Sequence, residues 1–455
     1  MTRGIDMWYI IVSSIIVAGC LVGLAITIKL AMKSGKKLFP IILSMLLIAA
    51  ISSLYFSINY YIEQKNTPVV WNAELNGHFD MVILENGDTY SGDMVNGKMD
   101  GIGILKYADG SIYTGEFSKS KRHGNGVYKD YTGYEYDGQW ANDEMNGKGT
   151  YKFISGDVYV GEVSDNVLSG NGKMTYLNGD IYEGSFSNSA MNGFGKYSYA
   201  NGDEYVGSFS DNFRSGEGKI VFSNGSIYDG VWKNDRQNGQ GRYTDVSGWS
   251  YQGNWVDNVI EGKGTYIYAN KEKYEGDFVA GVREGNGTFT YADGSVYSGA
   301  WKEDRWNGKG TYKSAQGFIY EGDWKDGQKN GQGKYTFSDG SVYVGAFVDD
   351  KENGYGILTS CDGWKYEGEW KNGMRNGKGK ITYTDTSYYD GDWVDNQKSG
   401  TGTHTYFDKN GRYIGKYEGE FKNGMRNGYG VFYYGNGVIQ KGEWLDDKLL
   451  NEVRD

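Results

Sequence analysis

Cysteine is nearly absent from this 455-residue chain. Cys20 lies in an apolar run and Cys361 far downstream, so neither a disulfide framework nor a cysteine-ligated metal can hold the fold. Proline occurs twice, at Pro40 and Pro68, which leaves long stretches free to pair as uninterrupted strands. The three histidines, His78, His123 and His404, stand far apart along the chain, which argues against a histidine triad or zinc site. Positive charge is short as well: the first 62 residues hold five basic side chains against Asp6, leaving 42 basic and 57 acidic residues beyond them, a charge near −15. Such a surface repels phosphate backbones and anionic headgroups, so no nucleic-acid partner is expected.

Glycine (72), tyrosine (41) and tryptophan (13) are plentiful, the composition of a regular sheet with many tight turns. Before that sheet come two uncharged apolar runs, residues 7–28 and 38–61. At about 1.5 Å per residue, each is long enough to cross a hydrocarbon core of roughly 30 Å. Residues 1–62 are therefore expected to form a transmembrane helical hairpin, with Tyr55, Tyr60 and Tyr61 at an interface. Lys29, Lys33, Lys36 and Lys37 place the loop 29–37 in the cytoplasm by positive-inside asymmetry, and the long downstream segment outside the cell. Val17-Ala18-Gly19-Cys20 offers a competing reading as a lipoprotein processing site with a lipidated Cys20; a small-residue packing face is the simpler account.

From Tyr90-Ser91-Gly92 onward Tyr-x-Gly returns every 23 residues as far as Tyr389, and a large apolar side chain follows each glycine by two residues. Gly-x-Gly keeps the same period from Gly101 to Gly402. A five-residue slip around Asp408-Lys409-Asn410-Gly411 precedes one more unit at Tyr417-Glu418-Gly419, and a last half-unit carries Trp444. In Tyr136-Asp137-Gly138-Gln139-Trp140 alternation puts the rings and the glycine on one face, as it does with Gly147, Gly149, Tyr151 and Phe153 in the next segment. Each unit thus reads as a β-hairpin, with turns supplied by pairs such as Asn178-Gly179 and Asp293-Gly294. The glycines Gly138, Gly147, Gly149, Gly230, Gly322, Gly331, Gly333 and Gly368 are expected to leave slots over which rings lie flat.

These residues resemble the MORN (membrane occupation and recognition nexus) repeat family, and Lys371-Asn372-Gly373-Met374-Arg375-Asn376-Gly377-Lys378-Gly379 is a close match to its pattern. The resemblance implies an elongated single-layer antiparallel sheet that acts as a scaffold and carries no inherited catalytic residues or cofactor. The expected order is the membrane hairpin (1–62), a degenerate capping repeat (63–89), the repeat array (90–444) and a C-terminal cap (445–455), with a bacterial-type membrane-anchored member in view.

No metal or cofactor site emerges from the sequence: acidic runs such as Asp349-Asp350-Lys351-Glu352 lack calcium-loop spacing, and no Gly-x-Gly opens a helix. The aromatic face is the candidate binding surface, through Tyr136, Trp140, Tyr228, Trp232, Tyr251, Trp255, Tyr297, Trp301, Tyr320, Trp324, Tyr366, Trp370, Tyr389 and Trp393. A single-layer sheet is not expected to bury one face by itself. Three readings remain: a non-enzymatic scaffold for a protein partner or for self-association, an extracellular glycan-binding module that stacks sugars on Tyr and Trp, and, against the charge, lipid-headgroup binding.

Overall fold

The computed structural model describes residues 39–65 and 69–453, with isolated positions between 15 and 33. A helix, Phe39–Lys65, leads into strands of regular length that alternate between seven and nine residues through most of the chain. Two compact units make up the protein, Met1–Ala200 and Asn201–Asp455.

Among the described residues, no helix is long and apolar enough to cross a membrane, which corrects the expected two-span integral membrane protein with an external array. The side chains described in Phe39–Lys65 are those of residues 44–60. Ser44, Ser52, Ser53, Ser57 and Asn59 dilute their apolarity, and Ser57 turns its hydroxyl back to the Ser53 carbonyl at 2.8 Å. Most of the expected first span, most of the lysine loop 29–37, and Cys20 lie outside the described residues.

Within each unit the strands form antiparallel hairpins in chain order. In the first unit Glu135–Ala141 pairs with Glu144–Lys152, which pairs in turn with Val158–Ser164. In the second, Ser250–Val256, Val259–Ile267 and Lys273–Val279 repeat the arrangement. The two-residue Val69–Val70 departs from the rule, adding to Gly77–Ile83 in parallel, and Trp71 beside it donates its indole N–H to the Gly97 carbonyl at 2.7 Å. At the other end Lys448–Glu452 closes a short last hairpin on Ile439–Leu445.

The repeat is built on a glycine pair. Gly138 faces Gly149 across the hairpin, and the Tyr136 ring leans over both, so that a Cβ on Gly149 would overlap that ring. The same slot recurs at Gly230–Gly241 under Tyr228, Gly322–Gly333 under Tyr320 and Gly368–Gly379 under Tyr366. Each buried hydroxyl is satisfied locally by donating to the carbonyl three residues on, at 3.0 Å from Tyr136 to Gln139 and 2.9 Å from Tyr320 to Asp323. Gly147 and Gly331 behave differently from expectation. They sit at a β-bulge with φ of +114° and +106°, and face Gln139 and Asp323 on the polar side instead of a ring. The bulge frees the next N–H, and those side chains accept it: Lys148 N–H to Gln139 and Gln332 N–H to Asp323, each at 2.8 Å.

Tryptophan ties one hairpin to the one before. Trp140, Trp232, Trp324 and Trp393 donate their indole N–H to the carbonyls of Gly126, Gly218, Gly310 and Gly379, at 2.9 to 3.1 Å. The rings meet edge to face: Trp140 lies 5.3 Å from both Tyr113 and Tyr136, with interplanar angles of 85° and 81°. Turns are tied in a similar way. Both central residues of the two-residue turns have positive φ, as at Asn142 and Asp143 (54° and 75°), and the Asp143 carboxylate accepts the Arg122 N–H at 2.8 Å. In the longer connections a single residue is left-handed, a glycine as at Gly179 in most and Lys271 or Thr386 in two, and after Gly179 the Asp180 carboxylate accepts the Ala200 N–H at 2.8 Å.

Replacing Gly149 by Ala forces the Tyr136 ring off its slot and should cost about 1–3 kcal/mol, read as a lower urea midpoint. Gly294→Ala, where φ is +90° and nothing lies within 4 Å of the new Cβ, should cost about 1 kcal/mol through backbone strain alone. Equal losses at the two sites would refute the slot. Burial also pushes the phenol groups up, to about 12 at Tyr90, Tyr136, Tyr159, Tyr182 and Tyr251. A tyrosine raised in the folded state contributes stability that is complete below its unfolded value near 10 and lost as pH rises through the folded value. The sheet should therefore unfold between about pH 10 and 12, with tyrosinate absorbance rising in step with the loss of the β circular dichroism signal. Tyrosinate formation near pH 10 with the sheet intact would contradict this.

Candidate functional site

The fourteen aromatic residues read from the sequence as a binding face are the core. Tyr136, Tyr228, Tyr251, Tyr297, Tyr366 and Tyr389 are fully buried and Tyr320 nearly so, and none of Trp140, Trp232, Trp255, Trp301, Trp324, Trp370 and Trp393 is more than 7 % exposed. The reason is a lid that the sequence reading missed. A long side chain on the second strand of the preceding hairpin lies over the tryptophan: the guanidinium carbons of Arg122, Arg214, Arg283 and Arg375 stand 4.2, 4.2, 4.5 and 4.4 Å from the rings of Trp140, Trp232, Trp301 and Trp393. Trp306 plays the same part against Trp324, at 4.7 Å. Glycine floor, tyrosine, tryptophan and lid together bury a face that a single layer does not bury by itself.

What remains half-exposed is a second row of rings on the same face, nearer the longer connections. In the second unit Phe222 touches Tyr243 at 6.3 Å, Tyr243 stacks on Trp249 at 4.8 Å, and Trp249 stacks on Tyr266 at 5.3 Å with planes only 5° apart. The line continues through Tyr268, Phe289, Tyr291, Tyr312, Phe318, Tyr335 and Phe337, each ring within 6.3 Å of the next and Phe289 alone of these buried. Trp249, Tyr266, Tyr268, Tyr291, Tyr312, Phe318, Tyr335 and Phe337 are all half-buried, presenting ring area to solvent. Arg283 lies 5.4 Å from the Phe289 ring and Lys329 4.6 Å from that of Tyr335, so cations are interleaved with the row. The signal for it in the sequence is the doublet two residues apart that straddles the end of the second strand, Tyr266/Tyr268, Phe289/Tyr291 and Tyr335/Phe337.

The opposite face of the second unit is polar and holds an open groove of about 760 Å³ lined by Gln240, Gln252, Lys263, Thr265, Glu275 and Thr288 among others. Lys263 and Asp277 pair there at 2.9 Å, with the carboxyl of Asp277 held below its usual range by that lysine and by the Asn286 N–H. Among the described residues, no group of three or more His, Cys, Asp or Glu is placed to hold a metal ion. His78 is exposed beside Asp93 at 2.8 Å. His404 is not solvated: it packs 4.0 Å from Tyr406, and burial together with Lys398 and Arg426 holds it down at about 3, so it is neutral.

No curated protein matches the chain significantly. Among solved structures there is a match to a catalytically inactive virginiamycin B lyase from Staphylococcus aureus with quinupristin, at 10% identity over 67% of this chain and 98% of that one; with a TM-score of 0.12 it carries no argument. The MORN repeat model matches fifteen times between residues 90 and 439, in the 23-residue register of the hairpins, with a break between 411 and 417 beside the lengthened strands Gln397–Phe407 and Tyr413–Lys422. The chain belongs to the MORN repeat family.

Proposed function

We propose that the chain is a non-enzymatic scaffold whose second unit binds a protein partner along the half-exposed row of rings from Tyr243 to Phe337. The observation that carries this reading is the continuity of that row across successive hairpins. Rigid half-exposed rings beside cations supply large contact area at small entropic cost, the composition of binding hot spots. The polar groups of the repeat support the same reading, because the tyrosine hydroxyls are spent within their own strands and the indole N–H groups and turn carboxylates on holding one hairpin to the next. The binding surface lies beside the buried Tyr and Trp positions and not on them.

Trp249→Ser with Phe318→Ser removes two rings of the row and leaves the core stack intact. Capture of the partner by the full-length protein in its own cells, read by cross-linking and mass spectrometry, should fall at least tenfold while the thermal midpoint stays close to that of the parent chain. Self-association is read on the same proteins by sedimentation, and loss of a dimer on substitution would make a second copy the partner. An unchanged set of cross-linked proteins, or ring-dependent retention on insoluble polysaccharide, would replace this reading with another.

A further inference from the structure

The lid position provides an internal comparison that singles out one place in the second unit. Wherever an arginine covers a tryptophan, the residue 21 positions later closes a turn beside it. Arg122, Arg214, Arg283 and Arg426 find there Asp143, Asp235, Asp304 and Asp447, with Nε to Oδ1 distances of 3.4, 2.9, 2.8 and 3.0 Å. Arg375 finds Asn396 instead. Its Nη2 still donates to the Asn396 carbonyl at 3.0 Å and its Nε reaches Oδ1 at 3.4 Å, so the guanidinium is held in the same pose by a neutral group. One unit on, Lys398 occupies the lid position, and its turn residue is Gly424, whose N–H bonds the Lys398 carbonyl at 2.9 Å. Two neighbouring repeats with a cationic lid thus lack the carboxylate that the other arginine-lidded repeats carry.

The consequence is a basic pocket of about 370 Å³ with Arg375, Lys398, Tyr383, Trp364, Asn396 and Gln397 in its walls. Among the described residues, neither cation forms an ion pair with a carboxylate. The acids that act on Lys398 and His404 from further off are Asp447, already paired to Arg426, and Asp385. Lys398 is held over Tyr389 and Tyr383 at 5.1 and 5.4 Å, and donates to Nδ1 of the neutral His404 at 3.3 Å. Burial lowers Arg375 from its usual value and pushes Lys398 down to about 8, as expected of cations withdrawn from water without a neutralising neighbour. Trp364 and Tyr383 stand at the repeat positions of Trp249 and Tyr268, so the pocket opens on the same face as the row of rings.

We infer that this pocket receives a carboxylate from outside the chain, an aspartate or glutamate side chain of an acidic polypeptide segment, which enters beside Asn396 and supplies to Arg375 and Lys398 the negative charge that the turn aspartate supplies in the other arginine-lidded repeats. The inference deepens the scaffold reading and rests on it for the direction from which the segment arrives. The protein itself specifies the chemistry, since every filled version of the site holds a carboxylate on the arginine Nε. The surrounding surface is acidic overall, so an acidic segment is repelled elsewhere and finds its complement here.

Asn396→Asp in the full-length chain restores the residue found in the sister repeats, so it is compatible with folding by the example of four other units. Binding is read by fluorescence anisotropy with a labelled hexaglutamate peptide, against hexaglutamine. The parent protein should bind hexaglutamate at least tenfold more tightly than hexaglutamine, Asn396→Asp should lose at least tenfold, and Lys398→Gln should lose several-fold. Equal affinity for the two peptides, or hexaglutamate binding indifferent to Asn396→Asp, would overturn the inference. So would Asn396-dependent binding of phosphatidylserine vesicles without binding of the peptide, which would give the pocket to a headgroup. The Trp249/Phe318 double variant separates the two readings. Partner capture lost there but kept in Asn396→Asp leaves the scaffold standing without the pocket; the reverse leaves the pocket without the row.

Discussion

A tyrosine ring lying on a pair of facing glycines is the contact on which the rest of this protein is built. With both side chains removed, the backbone of two adjacent strands becomes a flat floor, and the ring can approach it closely enough that a single methyl group would overlap it. The ring then presents its edge and face to tryptophan or phenylalanine, whose indole N–H in the tryptophan units fixes the next strand at a glycine carbonyl. A lid from the neighbouring hairpin completes the stack. No separate second layer is needed, because each side chain covers the one beneath it along the sheet instead of standing away from it.

The sheet, its period and its break were legible because they depend on local chemistry: alternation in the strands, glycine in the slots, and a five-residue slip near Asp408–Arg412. The extra residues lengthen the two flanking strands, Gln397–Phe407 and Tyr413–Lys422, and not the connection between them. The burial of the aromatic face was not. It depends on Arg122, Arg214 and Arg283 lying down over rings in the next hairpin, and a charged residue on an alternating strand reads as solvent-facing until its stem is seen to pack. Gly147 and Gly331 were misplaced for a related reason: a bulge shifts the alternation, and nothing in a Gly-x-Gly pair says which glycine faces the ring.

The turns taught a similar lesson. Pairs such as Asn178-Gly179 announce themselves, whereas Asn142-Asp143 and Asp395-Asn396 hold two successive left-handed residues without any glycine. Those positions also carry the charge pairing whose break defines the basic pocket, so the candidate site was visible only once the repeats could be superimposed residue by residue. The apolar helix was misread in the opposite direction. Its run of aliphatic residues dominated the serines and asparagine spaced along it, and among the described residues no helix is long and apolar enough to cross a membrane.

The bonds that join hairpins recur at fixed separations: 14 residues for the indole N–H, 20 for the longer connections and 21 for the tight turns. A gain or loss of one whole unit preserves every one of them, since each donor still meets an acceptor of the same kind at the same offset. A gain or loss of any other length shifts those offsets, as where the turn bond from Gly424 reaches back to Lys398 across the lengthened strands. The fold therefore tolerates unequal exchange between its own repeats far better than it tolerates small insertions, and its length is free to drift in steps of 23 while its cross-section stays the same. The one irregular step in the register adds its five residues to a pair of strands, Gln397–Phe407 and Tyr413–Lys422, beyond the glycine floor, which is not interrupted.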